Sequence, residues 1–458
     1  MPSSFQDLRE REFPNLGLQR HAYLDYTGGG LCSVSQLRDY SELIARSIVG
    51  NPHSHSPASM LGTSMLEEAR RRVLRFFNAS DSEYEAVFTQ NATGAIKLVG
   101  ESYPFRRASM FVLTSDNHNS VNGVREFAKR AKATTTYIPL DGSLGVSDLE
   151  GKLPDAKGSP SLFAYPAQSN FSGVQHPLDW IEVAHSAGYD VLLDAAAFVP
   201  TNQLDLGRVK PDFVPVSFYK MFGFPTGVGA LIARRSSLEK LERPWFSGGT
   251  IEHVTTMRMS HSMAATASKF EDGTVNYLGV PGVKIGLDFL DRIGMEEIHR
   301  HVMTLTGELL GRLLELRHSN GSHLVEIYGP KTTEARGGTV ALNVRGPRGE
   351  IVDFRLVTER AAKDNVSIRT GCFCNPGVGE YVFGYTPERE ERCLHRLSGT
   401  LTPELFAECM GGHAKGAVRA SLGVASNHMD IDRFVEVLRS FRDFSSAASR
   451  EPLPALSC

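Results

Sequence analysis

Two residues, an aspartate and a lysine that each close an apolar run, are the best placed to do chemistry together. Asp194 ends DVLLD, and Lys220 follows FVPVS in S-F-Y-K. In open α/β sheets ligands bind beyond the carboxyl ends of the strands, so one crevice is expected to receive both side chains. A lysine there can carry pyridoxal 5'-phosphate as a Schiff base. A carboxylate beside the pyridine nitrogen keeps it protonated, so that the ring accepts electrons from a substrate Cα. An arbitrary pair at this spacing reads more simply as a helix cap and a surface lysine. The flank decides otherwise: MFGFPTGVGALIA is glycine-rich and apolar, a poor setting for a surface lysine and one in which its pKa falls readily.

A phosphate needs backbone N–H groups around it. TQNATGAIKLV (89–99) supplies the pattern: a strand ends and Thr93-Gly94-Ala95 opens a helix whose N-terminus favours an anion. Ser217, three residues before the lysine, is a further candidate phosphate ligand. His118, after the strand MFVLT, either stacks on a pyridine ring or is structural. Among six cysteines only Cys372 and Cys374 cluster, in GCFCNPGVG. Such a pair is buried, half of a metal site with Cys393 and Cys409 as remote ligands, or catalytic. C-x-C lacks the usual zinc spacing, so no metal is expected. A chain of this size with so few cysteines suggests no disulfide framework.

The elements that must position these residues alternate. AVFT (86–89), MFVLT (110–114), LFAYP (162–166), DVLLD (190–194), FVPVS (213–217) and VGALIA (228–233) read as strands. Helical spacing runs through 65–77 and 180–188, which predicts a mainly parallel sheet with covering helices. After VPGVKIGLDFLDRIG (280–294) comes a long amphipathic helix near 295–317. Strands then follow at 339–344, 366–370 and 417–421, the pattern of a smaller α+β domain. The expected organisation is an N-terminal segment 1–55, a large domain 56–295, a small domain 296–444 carrying the cysteine loop, and a tail 445–458.

At 458 residues two domains are the natural expectation. With 49 basic and 52 acidic side chains and no long basic run, nucleic acid is not an expected partner. The polar N-terminus lacks the apolar core of a signal peptide and no apolar run reaches membrane-spanning length, so a cytoplasmic protein without a membrane partner is expected.

NATGAIK, DNHNSV, YPAQSNFSGV, LLDAAAFV, SFYKMFGFPTGVGAL and RTGCFCNPG, in this order, resemble the class V aminotransferase group of fold type I pyridoxal phosphate enzymes. Within that group they are similar to the cysteine desulfurase-like domain of molybdenum cofactor sulfurases, over about residues 23–441. The resemblance implies that Lys220 is the Schiff-base lysine, Asp194 the partner of the ring nitrogen and His118 the stacking residue. It places Thr93 and Ser217 on the phosphate and Asn170 near the cofactor's phenolic oxygen and the substrate. Thr274 would reach the phosphate site of a neighbouring subunit, which implies a homodimer. Cys374 matches the cysteine that takes sulfur from L-cysteine as a persulfide, and a glycine-rich turn suits a nucleophile that must be exposed and mobile. Arg419 matches the arginine that holds the substrate α-carboxylate. Arg369 either steers substrate or product or anchors the cysteine loop, and the role of Cys372 stays open.

Two positions depart from common desulfurases: Tyr219 stands where a histidine precedes the lysine, and Ala197 where a glutamine follows the aspartate. Both fit the molybdenum cofactor branch. Members of that branch continue into a β-rich domain, whereas this sequence stops at Cys458. The expectation is therefore either a separated desulfurase domain or a stand-alone relative, with carbon-sulfur cleavage of a cysteine conjugate as the competing activity. The sulfur acceptor is a small molecule or a protein.

Overall fold

The computed structural model describes residues 4–444 apart from 53, 157, 266, 398–404, 407–408 and 411–415; the expected tail lies outside the described residues. Its centre is a seven-stranded sheet in the order β2-β8-β7-β6-β5-β3-β4. These strands are β2 (Tyr84–Thr89), β3 (Met110–Thr114), β4 (Thr134–Ile138), β5 (Leu162–Pro166), β6 (Asp190–Asp194), β7 (Phe213–Ser217) and β8 (Gly229–Arg234). All run parallel except β8, which pairs antiparallel with both β2 and β7. Strands β5 and β7 are buried at every residue, as an apolar run covered on both faces requires. One face packs in a cluster with Ile96, Val99, Val124 and Phe270, the other in a larger cluster running from Leu8 to Phe441.

The predicted strands and helices fall where the apolar pattern puts them, with informative shifts. The helix expected from residue 65 begins at Pro57, because Ser56 caps it and proline suits its first turn. The strand expected over 366–370 divides. Val366–Ser367 (β13) pairs with Ala22–Tyr23 (β1), while Arg369–Gly371 (β14) joins a second sheet. That sheet has the order β11-β12-β15-β14, with β11 (Val325–Tyr328), β12 (Thr339–Val344) and β15 (Ala417–Ser421). A hairpin of β9 (Ile251–Thr255) and β10 (Ser260–Met263) has no counterpart in the sequence expectations. The N-terminal segment is no loose extension: its buried Arg9 pairs with Asp430 at 2.7 Å on the last described helix. No helix among the described residues is long and apolar enough to cross a membrane.

Candidate active site

Adjacent parallel strands β6 and β7 end in Asp194 and Ser217, and Lys220 follows in the short helix Phe218–Phe222. A cavity of about 140 Å³ opens at these strand ends, lined among others by Thr93, His118, Asn170, Asp194, Ser217 and Lys220. Burial pushes the Lys220 ammonium below the ordinary lysine range, against the opposing pull of Asp194. The Asp194 carboxylate accepts the Ala196 N–H at 3.0 Å, which fixes it at the end of its strand. Burial likewise depresses His118, whose Nδ1 accepts the Ser120 N–H at 3.1 Å. Ser120 Oγ also lies 2.8 Å from Thr93 Oγ1, so the histidine and the threonine share one hydroxyl.

The helix Ala92–Ser102 points its N-terminus at this cavity, with its opening turn already tied down. Ser217 Oγ accepts from the Ala92 N–H, Asn91 Oδ1 from Gly94 and the Asn91 carbonyl from Ala95. Of the expected cradle, Thr93 lines the cavity, while Gly94 lies behind it and Ala95 packs in the core. Thr274 is not brought to Lys220 within one chain. It lines a separate cavity of about 300 Å³ together with Thr89 and Gly94.

The second sheet reaches the cavity-lining Asn170 from the other side. The turn after β14 holds Gly371, Phe373 and Cys374 at φ of 110°, 54° and 53°. Two consecutive non-glycine residues in the left-handed region cost about 1–3 kcal/mol each and persist only when their surroundings impose them. Here the constraint is visible: the Cys374 carbonyl accepts the Asn119 N–H at 2.7 Å, and the Phe373 carbonyl accepts from Asn170 Nδ2 at 2.7 Å. Cys374 is within electrostatic reach of both Lys220 and Arg419. On β15, Arg419 is buried and pushed down to about 10 by that burial. It donates to the Asn170 carbonyl and to Asp25, and its guanidinium lies 4.8 Å from the Phe373 ring centroid. Arg369, opposite it on β14, donates to the same aspartate at 2.6 Å.

One expectation is corrected. The low cysteine count suggested no disulfide framework, yet Cys393 and Cys409 are joined as a disulfide, with Cα atoms 5.7 Å apart, which also removes the alternative in which they are remote ligands of a metal site with Cys372 and Cys374. No cluster of His, Cys, Asp and Glu among the described residues is able to hold a metal ion.

Sequence reasoning passed over two positioning residues. Asp25 immediately precedes YTGGG, three residues before the glycine run, and this acid beside a glycine-rich turn was its signal. Asn375, fully buried, donates to the Asp116 carbonyl at 2.7 Å and to Asn170 Oδ1 at 2.9 Å and caps the helix Pro376–Val382. Its signal was Asn-Pro at a helix start.

The profile of the family described as Aminotransferase class-V matches residues 22–434. The chain belongs to this family. A molybdenum cofactor sulfurase from Homo sapiens is 35% identical over 97% of this chain and 52% of its own length. Molybdenum cofactor sulfurase 2 from Culex quinquefasciatus is 36% identical over 92% of this chain and 56% of its own. The chain thus spans about half the length of these curated relatives. The solved apo structure of a cysteine desulfurase from Thermococcus onnurineus NA1 superposes with a TM-score of 0.77 at 25% identity, covering 95% of this chain and 97% of that one. The fold is that of fold type I pyridoxal phosphate enzymes, and the class V aminotransferase cofactor is pyridoxal 5'-phosphate. The residues fit it: a half-buried lysine, an acid at a strand end and hydroxyls at a helix N-terminus surround one small cavity.

Proposed function

We propose that the chain is an L-cysteine desulfurase of the molybdenum cofactor sulfurase type, yielding alanine and a persulfide on Cys374 for transfer to an acceptor. The observation that carries this reading is the docking of the Cys374 loop: the backbone next to His118 holds the Cys374 carbonyl. A lyase that releases a thiol has no use for a cysteine bound there.

Bound pyridoxal 5'-phosphate supplies an electron sink for bond changes at the substrate's Cα. Lys220 would hold the cofactor and would move the Cα proton, a task that its depressed pKa suits. Asp194 would hold the ring nitrogen, His118 would stack on the ring, Thr93 and Ser217 would bind the phosphate, and Asn170 would serve cofactor and substrate. Arg419 takes the α-carboxylate. The Cys374 thiolate attacks the substrate sulfur, forming an S–S bond as the C–S bond breaks, and the carbon pair is reprotonated to give alanine. The resemblance further supports a homodimer in which Thr274 faces the partner's site, and a cytoplasmic location follows from the sequence expectation alone.

The test is a single turnover of the yellow protein with L-cysteine, following alanine and protein-bound persulfide. Wild type is expected to give both, and Cys374→Ala no persulfide and alanine about a hundredfold more slowly, while still binding L-cysteine. A Cys374→Ala variant that cleaves cysteine conjugates as fast as wild type would replace this reading with a carbon-sulfur lyase.

A further inference from the structure

Arg419 is 4% exposed and incompletely paired. Its Nη1 donates to the Asn170 carbonyl at 2.9 Å, its Nη2 to Asp25 Oδ1 at 3.2 Å, and its Nε, fully buried, has no hydrogen-bond partner. The other oxygen of Asp25 accepts from Arg369 Nη2 at 2.6 Å. Arg369 and Arg419 are direct cross-strand neighbours, an arrangement that like charges disfavour unless an anion lies between them. A Cβ on Gly28 would lie 2.6 Å from Asp25 Oδ1 and 2.7 Å from Arg369 Nη2, so a glycine is what leaves space for this bridge. Two guanidinium charges against one carboxylate leave one positive charge over, next to a buried donor that lacks an acceptor.

We infer that Asp25 determines specificity: it fills one of two carboxylate places between Arg369 and Arg419, leaving the other for a single substrate α-carboxylate and turning away amino acids that carry a second acid. The inference rests on the proposed role of Arg419. Asp25 is a positioning residue in this arrangement. It shares itself between the arginines, and Arg369 draws it partly off Arg419 so that the substrate carboxylate meets a fork with spare charge.

The experiment titrates the visible absorbance of the cofactor-loaded enzyme with L-alanine and with L-aspartate. Asp25→Asn is expected to shift the ratio of the two half-saturation concentrations about tenfold or more in favour of aspartate, since a buried charge place has been opened. Arg369→Gln leaves Asp25 to Arg419 alone and should raise the half-saturation concentration for L-alanine about tenfold; adding Asp25→Asn to it should bring most of that loss back. Thermal unfolding midpoints check that each variant folds, and if Asp25→Asn does not, the comparison of Arg369→Gln with the double variant decides. An unchanged aspartate-to-alanine ratio, or a double variant weaker than Arg369→Gln, overturns the inference. An unaltered enzyme whose spectrum answers neither L-alanine nor L-cysteine overturns the proposed function instead.

Discussion

The two sides of the candidate site, a cofactor wall and a substrate wall joined at Asn170, are built differently. The cofactor wall comes from consecutive strands of one sheet: Asp194, Ser217 and Lys220 occupy 27 residues of chain at the ends of β6 and β7. The substrate wall is assembled from three distant stretches, Asp25 near the N-terminus, Asn170 after β5, and Arg369 to Arg419 on the second sheet. The first is set by local sequence. The second exists only once the two sheets have packed, and its hydrogen bonds span separations of more than 200 residues.

That contrast can be broken by substitution. Lys220→Ala should lower alanine formation about a thousandfold or more, because both the cofactor anchor and the proton carrier go. The variant should nevertheless fold, since it leaves the second sheet untouched. Cys374→Ser should abolish persulfide, measured by labelling of the trapped sulfur, and slow alanine release about a hundredfold with cofactor absorbance intact. Asn375→Ala strips the buried clamp from the cysteine loop and leaves the Asp116 carbonyl and Asn170 Oδ1 short of a donor. It should cost about 1–3 kcal/mol in denaturant unfolding and reduce persulfide yield while sparing cofactor affinity. If cofactor affinity falls equally, the two walls are one cooperative unit.

The smallest effect concerns His118. Its folded pKa lies below the ordinary histidine value because the ring is buried. Between the two values the unfolded chain binds a proton that the native state does not, so stability rises with pH through that window. The contribution of a neutral His118 is present above about pH 6.5 and is lost as the pH falls below it. His118→Phe should flatten that slope in cofactor-free protein, measured as unfolding midpoint against pH.

Much of the cofactor wall was legible because strand and chemistry coincide in the same residues. Apolar runs gave β3, β5, β6, β7, β12 and β15, and the acid or lysine at the end of a run gave the site. Strand β4, TTTYI, was missed because it is an edge strand of half-exposed threonines with no apolar run. The bridge of Asp25 to two arginines was invisible for a different reason: it depends on β1 pairing with β13, a contact that no local pattern encodes. The disulfide escaped because six cysteines in so long a chain give no pairing signal, and two of them sixteen residues apart do not stand out.

The reversed direction of β8 also bears on how the site moves. A parallel neighbour would require a crossover of a dozen or more residues over the face of the sheet. An antiparallel one lets the chain turn straight back, and Lys220 rides on that short return between Ser217 and Gly229, both ends pinned by interior strands. The protein thus suspends its cofactor-bearing amine between two neighbouring strands of the sheet interior, so that a shift of either would be felt at Lys220.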